Sequence, residues 1–133
     1  MRLPGTFTLV CFTAIMLAAG SAYAQKELID RVTQVIKAGN AKDMTPHLQD
    51  QVDVTVDGKM ESYSKAQTEF VLRDFFKKYP PSSFSIVHQG SSKGGLHFAI
   101  GQYASGKDNF QVWIRMKSSN DVFLIHELSF IKQ

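Results

Sequence analysis

Between Ser83 and the end of the chain, four strand-like runs follow one another with almost no chain between them. They are Ser83 to Gln89, Leu96 to Ala104, Asn109 to Lys117 and Val122 to Lys132. The connections are Gly90-Ser91-Ser92-Lys93-Gly94-Gly95, Gly106-Lys107 and Ser118-Ser119-Asn120-Asp121. A parallel crossover needs a dozen or more residues, usually as a helix. None of these links is that long, and short connections favour antiparallel neighbours.

Upstream, Pro80-Pro81 closes a helical pattern, because proline lacks the donor that the next turn needs. That helix starts at Ser64, which with Gln67 has the spacing of a capping box. Val71, Leu72, Phe75, Phe76 and Tyr79 form its apolar stripe. Lys65, Glu69, Arg73 and Lys77 step by four along the solvent side. Before it, Gln51 to Asp57 alternates, with Val52, Val54 and Val56 on one side and Asp53, Thr55 and Asp57 on the other. Asp57-Gly58 is a hairpin turn signal, and Lys59 to Tyr63 supplies the returning strand. Leu28, Ile29, Val32, Val35 and Ile36 give a first helix its stripe, which stops at Gly39-Asn40. Asn40 caps a short second helix through Met44, limited by Pro46. The order α-α-β-β-α-β-β-β-β reads as an α+β domain, three helices on a curved, mostly antiparallel sheet of about six strands.

Residues 1–24 stand apart from this pattern. Arg2, the apolar run Phe7 to Ala19 and Ala22-Tyr23-Ala24 have the layout of a secretory signal peptide. The run is shorter than the ~20 apolar residues of a spanning helix. Cleavage after Ala24 leaves a single domain, residues 25–133, that is periplasmic or secreted, with no membrane span. It removes Cys11, the sole cysteine, and with it any disulfide, thiol nucleophile or cysteine metal site. Loss of Arg2 lowers the formal charge from +3 to +2. No basic run exceeds Lys77-Lys78, which argues against a nucleic-acid partner.

Two stretches, YSKAQTEFVLRDFFKKYPPSSFSIVHQGSS and AIGQYASGKDNFQVWIRMK, look like an uncharacterised family of exported bacterial proteins, a domain of unknown function. Phe75-Phe76, Pro80-Pro81-Ser82-Ser83-Phe84, His88-x-Gly90 and Ile100-Gly101 carry the likeness. The element order resembles the nuclear transport factor 2-like, or cystatin-like cone, fold. The resemblance implies that fold and an exported setting, and no particular activity. Enzymes, ligand binders and dimeric adaptors share the wider fold, so function must be argued from a site.

The candidate site follows from strand pairing. With Gly90 to Gly95 as the loop, Gln89 pairs with Leu96 and His88 with His97. Phe84, Ile86 and His88 then share a face with His97, Ala99, Gly101 and Tyr103. A slip of one residue would bring Leu96, Phe98 and Ile100 there instead, so the placement of His97 and Tyr103 depends on register. His88 faces inward in either case. The ligand-binding candidates are therefore His88, His97 and Tyr103, with apolar walls from Phe76, Phe84 and Val112. The opposite face holds Leu96, Phe98, Ile100, Trp113 and Arg115, and the interface candidates there are Phe98, Ile100, Trp113 and Arg115.

No histidine pair has zinc-site spacing, and no metal or cofactor is expected. An isomerase-like site needs an inward carboxylate base, but Asp53 and Asp57 alternate away from the valines. The first expectation is thus a non-catalytic exported domain that binds a small apolar or amphipathic ligand or a protein partner. The second is a cone-pocket enzyme using His88 as acid or base. The third is a dimeric structural module, a homodimer through the sheet face. The Gly90 to Gly95 loop lacks phosphate-loop spacing and precedes no helix.

Overall fold

The computed structural model describes residues 23–133. All but the last two residues of the signal-peptide reading lie outside them. Helix α1 runs over residues 23–38 and α2 over Ala41–Met44, followed by a 3-10 turn, Thr45–His47. Strands β1 (Leu48–Val56) and β2 (Lys59–Ser64) lead into α3 (Lys65–Lys78). Strands β3 (Ser83–Ser92), β4 (Leu96–Ser105), β5 (Asp108–Ser119) and β6 (Val122–Lys132) complete the chain.

Local chemistry explains each boundary. The Ser64 hydroxyl accepts from the Gln67 amide, and the Gln67 side chain accepts from the Ser64 amide, so the capping box forms at the start of α3. Asn40 caps α2 by accepting from the Asp43 amide. Asp57 and Gly58 both have positive φ, 54° and 76°, as a tight two-residue hairpin turn requires. Asn120 and Asp121 do the same, with φ of 51° and 65°, so β5 and β6 meet in a tighter turn than the four polar residues there suggest.

The six strands form one open sheet in the order β2-β1-β6-β5-β4-β3. All pairs are antiparallel except β1 with β6, which runs parallel. The last strand therefore lies inside the sheet and joins the β1–β2 hairpin to the β3–β4–β5 meander. Among the described residues the helices cover one face. The buried cluster draws Leu28, Val32 and Ile36 from α1, Leu72, Phe75 and Phe76 from α3, and alternate residues of β1, β4, β5 and β6. Val52, Val54, Val112, Ile114 and Met116 point into it as their alternation predicts.

Candidate functional site

Aromatic rings fill the space between α3 and the sheet. Phe75 packs on Tyr79, Tyr103, Phe110 and Phe130, with ring centroids 4.2–5.5 Å apart. Tyr103 also contacts Phe76 and Phe84, each at 6.4 Å. Such edge and tilted contacts are favourable beyond the area they bury. Tyr103 is only 1 % exposed, and its hydroxyl donates to the Tyr79 carbonyl at the end of α3. Burial pushes its phenol far above the ordinary value, so it stays protonated and serves as a donor. Phe84 lies over Gly101, where a Cβ would come within 2.4 Å of the ring.

The expected inner residues are thus partly assembled. Phe76, Phe84, Tyr103 and Val112 share the interior, as packed side chains. His97 lies on the same face at its far end, half-buried against Phe123 with centroids 4.9 Å apart. Its Nδ1 is buried and has no hydrogen-bond partner.

His88 does not join them. The β3–β4 turn is only Lys93-Gly94-Gly95, and Ser91 and Ser92 belong to the strand, so pairing begins at Ser92↔Leu96. His88 consequently pairs with Ile100, and His97 with Ser91. The register then shifts between Ile86 and His88, leaving Val87 as the extra residue of a bulge. This bulge restores Phe84 and Ile86 to the inner face while His88 stays on the outer one, exposed to solvent. The expectation of an inward His88 is corrected by that register.

The outer face carries a ladder of rings and charges across four strands. The His88 ring lies 5.7 Å from Phe98, and Phe98 lies 6.0 Å from Trp113. The Arg115 guanidinium sits 5.0 Å over Trp113, and its Nε donates to Glu127 at 2.7 Å. The Phe98 ring fits where Gly90 leaves room, since a Cβ there would come within 2.8 Å of it. Ile100 and Ser129 flank Trp113 across the strands and are largely covered. Among the described residues no helix lies on this face, and Phe98, Ile100 and Trp113 stand outside the main core cluster. The fourfold grouping of Phe98, Ile100, Trp113 and Arg115 is as the alternation predicts. His88 is the member that sequence reasoning missed, because the bulge has no signature in residue type.

Among the described residues no group of three or more His, Asp or Glu side chains is placed to hold a metal ion, and no helix is long and apolar enough to cross a membrane.

Three helices on one face of an open, curved six-stranded sheet define the nuclear transport factor 2-like class. A nuclear transport factor 2-like protein of unknown function from Silicibacter pomeroyi DSS-3 superposes with a TM-score of 0.61, at 9% identity over 87% of this chain and 98% of that one. Within the class, the chain belongs to the family described as domain of unknown function DUF4783, which matches residues 29–130. A DUF4783 family protein from Bacteroides uniformis is similar at 26% identity, with a TM-score of 0.73 over 78% of this chain and 95% of that one. Another from Bacteroides ovatus matches at 26% identity and a TM-score of 0.73, over 77% and 93%. No curated protein matches the sequence.

Proposed function

We propose that this is an exported, non-catalytic domain, residues 25–133, whose working surface is the outer sheet face. The ladder His88–Phe98–Trp113–Arg115–Glu127 carries this reading. Aromatic and arginine side chains at the centre of a sheet face are the side chains that dominate protein interfaces. Leu96 and Ile131 extend the apolar area, at 37% and 43% exposure.

The occupant we assign is a second copy of the chain. A two-fold contact sets a patch against itself, so charges within it find opposite partners only where the patch carries both signs. Arg115 and Lys117 on β5 stand beside Glu127 on β6 and Asp53 on β1, which supplies that self-complementarity. The interior favours a small ligand less. Its candidate walls contact one another, and five surface clefts include neither Phe84, Tyr103 nor Val112. An acid–base role for His88 loses its premise with the outward register.

Light scattering after size exclusion tests the assignment. A dimer is expected, and Trp113→Ala with Arg115→Glu should yield a monomer with native circular dichroism. A wild-type protein that stays monomeric at high micromolar concentration sinks the self-association and leaves a different protein partner for this face. Export is checked separately: N-terminal sequencing of the extracytoplasmic protein should begin at Gln25.

A further inference from the structure

At the corner between α1 and α2, a cleft of about 420 Å³ opens against α3, far from the ladder in its chemistry. Lys42, Arg73 and Lys77 line it together with Gly39, Asn40 and Phe76. Three cations thus border one concavity, and no carboxylate lines it. The acids nearby bond to lining residues from outside the cleft. Glu69 accepts from Arg73 Nη2 at 2.7 Å and from the Thr45 hydroxyl at 3.1 Å. Asp43 accepts from Asn40 Nδ2 at 2.8 Å. Among the described residues, Lys42 and Lys77 take part in no ion pair. Arg73 spends one nitrogen on Glu69 and keeps further donors, since a guanidinium carries five N–H groups.

The corner is also held in place. Gly39 has φ of +64°, and a Cβ there would sit 3.2 Å from the Pro81 ring, so the backbone of the turn rests on the proline that ends α3's run. A fixed wall reduces the ordering cost of binding.

We propose that this cleft binds a phosphate-bearing small anion. A phosphate presents three oxygens to three cations, which a carboxylate with two oxygens does not match. The volume exceeds that of a bare ion and falls in the range of small-molecule sites, roughly 300–1,000 Å³. The Phe76 floor adds an apolar contact for the carbon part of a phosphomonoester. The same terminal phosphomonoester occurs in free organic phosphates and in the headgroup of phosphatidic acid.

Amide NMR of the 15N-labelled protein separates the outcomes. Glycerol 3-phosphate should shift the amides of Lys42, Arg73 and Lys77, glycerol alone should not, and phosphatidic acid vesicles form the third arm. The variant K42Q/K77Q should bind at least about tenfold more weakly, because each lysine lost removes a charge-assisted bond. Lys93→Gln, on the β3–β4 turn near the start of α1, should bind as wild type. Shifts with glycerol 3-phosphate assign a soluble ligand, and shifts with vesicles alone assign a headgroup; either upholds the site if the double variant loses them. No shift at this cleft in any arm, or equal binding by K42Q/K77Q, overturns it.

Discussion

The hydroxyl of Tyr103 ties the end of α3 to the centre of the sheet. It satisfies the Tyr79 carbonyl, which α3 leaves without an intrahelical partner. Tyr103→Phe keeps the ring contacts and strands that carbonyl. The expected loss is about 1 kcal/mol, read from urea unfolding midpoints. Two histidines make the fold sensitive to acid. Burial lowers the affinity of His47 for a proton, and Arg31 adds to this against Asp43. Burial likewise lowers His126, with Lys117 and Arg115 adding to it and Glu127 and Asp53 opposing. Below the ordinary value of 6.5 the unfolded chain takes up these protons before the folded one does. Their contribution is full above that pH and is lost as pH falls through the lowered folded-state values. The melting temperature should therefore drop between about pH 7 and pH 5. His47→Gln with His126→Gln should flatten that slope; an unchanged slope would place the acid sensitivity elsewhere.

At the scale of elements, most boundaries are legible because each has a local cause. Ser64 with Gln67, Asn40, Asp57-Gly58 and Pro80-Pro81 all act on their own neighbours, and the structure uses each of them. The β3–β4 hairpin is different, since its pairing is decided jointly by loop length and bulge. Ser91 and Ser92 are polar and adjoin glycines, so they resemble loop, yet they pair with His97 and Leu96. Counting back from that longer hairpin without a bulge would turn Phe84 and Ile86 outward. The extra residue at Val87 is what returns them to the core, and core burial outweighs ladder regularity. Removing Val87 leaves Ile86 opposite Gly101 and His88 opposite Ile100 in an unbroken ladder. We expect the deletion variant to melt cooperatively and to retain nuclear Overhauser contacts between the His88 and Phe98 rings. Contacts from His88 to Tyr103 instead would mean that pairing from the β3–β4 turn does not set its face.

For the whole molecule, element order alone identifies an α+β sheet with helices on one side, because short links leave few topologies open. Whether the interior encloses space is a separate matter. It depends on how Phe75, Phe76, Phe84, Tyr103, Phe110 and Phe130 interlock, and hydrophobic pattern carries no record of ring orientation. The outer face was legible as a group of residues but not as a ladder, since the short β3–β4 turn sets His88 outward and the bulge breaks its alternation with Phe84 and Ile86. The parallel pairing of β1 with β6 has a further consequence, for folding rate. Val54 must find Leu128 across more than half of the chain, and β6 follows the other five strands in sequence. Until it arrives, the hairpin and the meander have no common strand, and closing so long a loop carries an entropic cost before any contact repays it. A nascent chain of this design has to wait for Val122–Lys132 before its halves can meet.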